Sequence, residues 1–412
     1  MLRSMEDAVS GLQMHQQWMD VIGNNIANVS TPGFKSSDVN FAQLFAQTLN
    51  AGGAPNGPQG GTNPQQIGLG VGIGSISQNE SQGALQQTGV PTNLAIQGNG
   101  YFVLNRAGQG TGYTRVGDFS FDGSGTLVEQ ATGFKVQGWM ANSSGTLPAE
   151  NASNLQNLVV PTTTSQPPQA TTSAAFGGNL DSGTAAGTSV AVPFSVYDSL
   201  GNPWSLVCTF QPSGTADTWN WTVSDPSGTA GLGGSTSGTV TFTSSGAYSA
   251  STGGPFTLAP AGAASTTVTP GFSGMTQYAQ SSTAEPGTQN GYAAGSLQSL
   301  SIGQSGIITG TFSNGQRQSL GQVALATFAN PQGLVQQGQD IYTPGNNSGV
   351  PNVLVAGTGG AGTVASGALE GSNVDLAKQF TEMIAAERGF QANAQVVTTA
   401  NTMLQTLVNL GQ

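Results

Sequence analysis

Few side chains in this 412-residue sequence are placed to do chemistry. The most suggestive run is DFSFDGSGTLVE, in which Asp118, Asp122, Gly123 and Glu129 stand at positions 1, 5, 6 and 12 of a calcium-loop pattern. Ser120 is a weak ligand at position 3, and Phe119 and Phe121 alternate as in a strand. Asp122-Gly123 is also a turn signal, so a β-hairpin is expected there and no metal site. Gly68, Gly70, Gly72 and Gly74 hint at a phosphate cradle, but the G-x-G-x-x-G spacing is missing and no Lys-Ser/Thr or helix pattern follows. His15 is the sole imidazole, with no acid on its helix face to hold it as a base. Cys208 sits among apolar strand residues and reads as a buried, inert thiol. Trp219 and Trp221 share one strand face and with Trp204 read as core, a sugar platform being the alternative. The carboxylates are scattered, with no close pair for glycoside hydrolysis. No enzyme, cofactor or metal centre is expected.

Composition points the same way. Charged residues make up 7% of the chain, against roughly 25% in an average soluble domain. Hydrophobic residues remain at 36% alongside 62 glycines, so strongly charged disorder is excluded. A net charge of −11 argues against nucleic acid, which needs a basic patch. One Cys rules out a disulfide framework within the chain. Glu6 and Asp7 interrupt the apolar core that a cleaved signal peptide requires, and no run of 18 apolar residues suits a membrane span.

The elements that position these residues differ between the ends and the middle. Met5, Leu12, Met19 and Ile26 recur every seven residues, with Leu2, Val9, Ile22 and Val29 beside them, which predicts a helix that stops at Asn28–Gly33. Leu376, Phe380, Met383, Phe390, Ala394, Val397, Leu404 and Val408 predict a second helix over 374–410, about 55 Å long, with Ser372 or Asn373 as its N-cap. Between them the chain reads as short strands broken by Gly, Ser and Thr turns. There is no Lys or Arg from 136 to 316, so that stretch can form no internal salt bridge between side chains. The fold class expected is mixed: long terminal α-helices packing as a coiled-coil-like pair, with two mainly-β domains nested between them. The divisions are 1–30 with 370–412 as a helical assembly domain, and 31–70 with 356–369 as extended arms. An inner β domain takes 71–144 with 286–355, and 145–285 is an inserted outer β domain.

Four ordered motifs resemble a known family. The run from Ser10 through Met19-Asp-Val-Ile-Gly-Asn-Asn-Ile-Ala-Asn-Val-Ser-Thr-Pro-Gly-Phe-Lys-Ser36 is similar to the opening signature of the bacterial flagellar rod/hook axial proteins. Ser372-Asn-Val-Asp-Leu, Glu387-Arg-Gly-Phe-Gln-Ala-Asn-Ala394 and Met403-Leu-Gln-Thr-Leu-Val-Asn-Leu410 resemble the closing signature. Leu94–Val103 and Ser313–Leu334 resemble internal motifs, leaving 145–285 and the Gly-rich arms unmatched. Hook-type members carry an inserted β domain like the one expected here. Pro32 departs from the Val common in hook members, which keeps a distal-rod type as the alternative, and Asn401 replaces a common Asp.

The resemblance implies a structural subunit of the bacterial flagellum, at the hook and basal body outside the cell, and no enzyme. It implies export unfolded through the flagellar type III apparatus without a cleaved signal, then polymerisation into a helical, flexible tube. That tube is a universal joint passing motor torque to the filament in motility. The implied partners are copies of the chain itself, the distal rod, the hook cap and the hook–filament junction, with no nucleic acid and no membrane span. By position, Met5, Leu12, Met19, Ile22 and Ile26 pack against Phe380, Ile384, Phe390, Val397, Leu404 and Leu407 of the same and neighbouring subunits.

Overall fold

The computed structural model describes residues 2–55, 57, 60–160 and 165–410. Residues 56, 58 and 59 of the expected arm, 161–164 of the expected outer domain and 411–412 of the terminal helical segment lie outside them. Two α-helices bracket the chain, α1 (Leu2–Ala27) and α2 (Leu376–Leu410), with strands, turns and two short 3-10 turns between them.

Each helix ends for a local reason. Beyond α1, the Asn28 side chain folds back to donate to the Asn24 carbonyl at 2.9 Å, and Gly33 takes φ +75°. Gly33 can adopt that left-handed backbone because it has no Cβ. At α2 the cap is Asp375, whose Oδ1 accepts the Ala377 and Lys378 N–H groups at 2.9 and 3.2 Å. The sequence pointed to Ser372 or Asn373 instead. Asn373 is engaged elsewhere: its Oδ1 accepts the Ser36 N–H at 2.8 Å and its Nδ2 donates to the Asn79 carbonyl at 2.7 Å.

The chain forms two compact units, 1–161 with 300–309 and 319–412, and 162–299 with 310–318. In the first, Tyr101–Asn105, Lys135–Met140 and Arg317–Thr327 are neighbouring antiparallel strands, with Gly138 opposite Val323 and Phe102 opposite Leu325. Tyr101, Tyr113, Trp139, Phe328 and Tyr342 fill one core, with Tyr113 and Phe328 edge to face at 4.9 Å. Residues 37–78, read from composition as an arm running into a domain, pair instead as a long hairpin. Ser37–Gln43 lies against Val71–Gln78 and Ala46–Asn50 against Gln65–Gly68. The second leg alternates apolar and small residues while the first carries Asp38, Asn40, Gln43 and Gln47, and ladder bonds satisfy the backbone of both where composition alone suggested a linker.

The second unit is a pair of five-stranded sheets around a shared core. One sheet holds Val190–Tyr197, Pro203–Pro212, Thr218–Ser224, Ser237–Phe242 and Tyr248–Ser251; in the other, Ser173–Asp181 runs parallel to Thr266–Tyr278. Burial alternates along Val190–Tyr197 and Thr218–Ser224, as it must when one sheet face meets a core. Glu285–Gln289 pairs with Ser173–Asp181, which places residues up to 299 with this unit and not with the inner domain assigned from sequence. Trp219 and Trp221 are buried in the core, and Trp204 packs beside them with its indole N–H donating to Asp198 Oδ2 at 3.0 Å. The Trp221 N–H donates to the Thr252 carbonyl at 3.1 Å. Cys208 is buried in the same core, and burial pushes its thiol up to about 12.

The calcium-like run is a hairpin between Phe119–Phe121 and Leu127–Glu129. Asp122 Oδ1 accepts the Ser124 N–H, the Ser124 hydroxyl and the Thr126 N–H at 2.7–2.8 Å. The Ser124 hydroxyl and Thr126 N–H hold this carboxyl below its ordinary range. Asn142, two strands on, receives the same three bonds from Ser144 and Thr146. Asp225 takes its own from Ser227 and Ala230. The Asp/Asn-x-Ser-Gly-Thr pattern is therefore a recurring turn in which one side-chain oxygen of the first residue gathers the chain's own donors.

Candidate assembly surface

The apolar spacing that predicts the terminal helices marks only part of the face where they meet. α1 and α2 run antiparallel: Asn25 Nδ2 donates to Gln379 Oε1 at 3.0 Å, His15 lies against Gly389, and Gly11 faces Asn393. Ala8, Gly11, Ile22 and Asn25 of α1 are buried, as are Gln379, Ala386 and Ala400 of α2. Their steps of 3, 11 and 3 along α1 and of 7 and 14 along α2 are sums of threes and fours, so they fall on one stripe of each helix. Small residues set the spacing. A Cβ on Gly11 would fall 2.8 Å from Asn393 Nδ2, and one on Gly389 would fall into the His15 ring. Hydropathy could not find this seam, because six of its seven buried positions are glycine, alanine or carboxamide.

The assembly residues inferred from sequence divide accordingly. Ile22 is buried in the helix pair, and Met5, Leu12, Met19, Ile26, Val397 and Leu404 are half-buried beside it. Phe380, Ile384, Phe390 and Leu407 stay exposed, as do Leu2, Val9, Leu376, Val396, Met403 and Val408. Within one chain, then, α2 turns most of its large apolar side chains outward. His15 lies 6.0 Å from both the Trp18 and Phe41 rings, and its Nδ1 is buried without a hydrogen-bond partner. Burial pulls its imidazole below the ordinary value.

The hairpin is attached to α1. Asn25 exchanges two bonds with the Ser37 backbone at 2.9 and 3.0 Å, Phe41 meets Trp18 edge to face at 5.5 Å, and Ser10 Oγ accepts the Val71 N–H at 3.3 Å. Its distal half leaves Phe45, Leu49 and Ile67 exposed.

A buried polar joint ties the segment after α1 to the segment before α2. Lys35 Nζ sits 2.6 Å from Glu370 Oε1 and donates to the Ser81 carbonyl at 2.8 Å. Glu370 Oε1 also accepts the Gly83 N–H at 2.9 Å, and Arg115 Nη1 lies 3.5 Å from Glu370 Oε2. Arg115 lies over the Tyr101 ring at 5.4 Å, and the Tyr101 hydroxyl donates to Glu80 at 2.8 Å. Burial pulls the Lys35 ammonium below its ordinary range while Glu370 opposes that shift. The sequence reading gave Lys35, Arg115 and Glu370 no joint role; only Lys35 lies inside one of the motifs, and the scarcity of charge was the one available clue to the others. Among the described residues the ion pairs all belong to this joint or to Lys378, which is 3.1 Å from Asp38 and 3.6 Å from Glu382.

Comparison with known proteins agrees with this layout. Residues 5–35 match the family model described as flagella basal body rod protein, and 365–410 the flagellar basal body rod FlgEFG protein C-terminal. Residues 95–173 match the flagellar hook protein FlgE/F/G D1 domain, and 168–292 the flagellar basal body protein FlaE D2 domain. The chain is 40% identical to flagellar hook protein FlgE of Treponema pallidum, over all of both chains. It is 35% identical to FlgE of Escherichia coli, over 99% of this chain and 100% of that one. It is 30% identical to the flagellar basal-body rod protein FlgG of Bacillus subtilis, over 100% and 99%. In fold it resembles the crystal structure of Helicobacter pylori flagellar hook protein FlgE2, with a TM-score of 0.50 and 16% identity over 68% of this chain and 98% of that one. With full-length relatives at this identity, the chain belongs to the flagellar hook protein family.

Proposed function

We propose that this hook subunit works by polymerising through its terminal helices into a hollow, flexible helical tube that transmits torque, after export through the flagellar type III apparatus. The observation that carries this reading is the outward turn of α2. Its contact with α1 is met by small and polar residues, while Phe380, Ile384, Phe390 and Leu407 face solvent in the single chain. Burying a fully exposed apolar side chain gains roughly 1.5–3 kcal/mol, so these, being 36–58% exposed, stand to gain about half of that each when neighbouring copies cover them. The role is structural: the side chains best suited to chemistry are already engaged in turns, in cores or in the buried joint. Copies of the chain are its main partners, with the other axial proteins of the flagellum at the tube's two ends.

The full-length match to a rod protein supports a second reading, a distal-rod type subunit. Electron microscopy of the purified chain under assembly conditions separates the two. Curved, flexible tubes are expected for the hook reading, and straight, stiff tubes for the rod reading. Deleting 376–410 abolishes either; ordered tubes from that deletion would refute assembly through α2.

A further inference from the structure

α2 outruns α1. The pairs Asn25 with Gln379, His15 with Gly389 and Gly11 with Asn393 hold one antiparallel register, and continuing it sets Leu2 opposite Thr402. Residues 403–410 therefore project past the described part of α1 by about 12 Å of helix. Met403, Leu407 and Val408 there are 53%, 58% and 64% exposed. No charge occurs in this overhang, whose sequence is MLQTLVNL. Apolar side chains on a helix end that touches nothing else in the chain gain by being covered.

A second bare ridge lies at the other end of the same helix. Leu376, Phe380 and Ile384 are spaced by four, forming a single row, and are 40%, 51% and 58% exposed. The row ends at Arg388, one step further. Of the charges beside it, Lys378 and Glu382 are paired with each other and Lys378 also with Asp38, while Arg388 closes the row at its far end.

Two different apolar rows at opposite ends of one helix fit a particular kind of occupant. A two-fold antiparallel pair of α2 helices could bury both rows only if they shared a face, and at 3.6 residues per turn Met403 and Leu407 lie nearly opposite Leu376, Phe380 and Ile384. One row meeting the other is a heterologous contact, which repeats without closing and generates an open helical filament. We propose that the Met403–Leu407–Val408 overhang of one copy docks on the Leu376–Phe380–Ile384 row of a second copy, head to tail, and that this contact links copies along the tube. The proposal rests on the tube reading above and names which surfaces of α2 meet.

The test is a cross-link. Cys208 is the chain's only cysteine and is buried, so introduced thiols report without background. Tubes of an Ile384→Cys/Leu407→Cys variant, treated with a short bis-maleimide, should give a ladder of covalent multimers on a denaturing gel, and the same variant dispersed below the assembly concentration should give none. Ile384→Cys and Leu407→Cys chains, each carrying one change and mixed before assembly, should give dimers and nothing larger, while each alone stays monomeric. This arm also covers a double variant that assembles poorly. Well-formed tubes that yield neither ladder nor mixed dimer overturn the docking while leaving the tube reading standing. Failure of the unmodified chain to form tubes at all overturns the tube reading itself.

Discussion

Replacing Glu370 with Gln tests the buried joint. The carboxylate meets Lys35 at 2.6 Å and Arg115 at 3.5 Å, and all three side chains are almost fully buried. At an effective dielectric of about 20, each pairing is worth roughly 5–6 kcal/mol before desolvation is subtracted. Gln keeps an acceptor for the Gly83 N–H and for Lys35 but leaves two cations with one fewer anion. Removing one partner from a buried ion pair costs about 3–5 kcal/mol, because the remaining charge stays buried and uncompensated. With a urea slope of about 2 kcal/mol/M, the unfolding midpoint falls by about 1.5–2.5 M. Hydrogen exchange across a urea series reads the two units separately. Peptides covering Leu94–Gln97 and Tyr101–Asn105 should lose protection at the lower midpoint, and those covering Pro203–Pro212 should not move, since no residue of the joint lies in that unit. The loss should also shrink as pH rises: burial already pulls Lys35 down, and without Glu370 it sheds its proton more readily. The unfolded chain then binds more protons than the folded one, the condition under which stability climbs with pH. A midpoint shift under about 0.5 M, or an equal shift in both units, would refute this account.

Two further outcomes follow from the helix pair. Gly389→Leu drives a side chain into the His15 ring and should cost about 1–3 kcal/mol of terminal-helix stability, whereas Gly23→Ala, with open space around it, should gain up to about 1 kcal/mol. Thermal melts followed by helical circular dichroism rank the two, and equal effects would sink the close-packed seam. Acid should loosen the same crossing. The His15 imidazole is held below its ordinary value by burial, so its contribution is intact above about pH 6.5 and is lost as pH falls through the folded value. The helical signal of assembled chain should decline as pH falls below about 6.5, and a His15→Gln variant should lack that decline.

Much of this architecture was legible in the residues. Heptad spacing at Met5, Leu12, Met19 and Ile26 announced a helix because helical period shows in hydropathy over any long enough window. The turn at Asp122-Gly123 was legible because a short acid followed by glycine suits only a few backbone conformations. The strands at Trp204 and Trp219 showed the two-residue alternation of a half-buried sheet. The hairpin over 37–78 was not legible, because its tip is rich in Gly and Pro and its legs are small and apolar by turns. Nor was the α2 cap, since Ser372, Asn373 and Asp375 all qualify locally and long-range bonds to Ser36 and Asn79 claim Asn373.

Local chemistry thus determined the kinds of element, their order, the absence of cation in the middle and the motifs of the family. Contact between distant parts of the chain decided the rest. It chose the glycine and alanine stripe over the apolar one as the α1–α2 seam, because helices approach closest where side chains are smallest. It gathered Lys35, Arg115 and Glu370 into one buried joint from positions that no local pattern connects. By packing α1 on small residues it left the large apolar side chains of α2 facing outward, where a second copy can reach them.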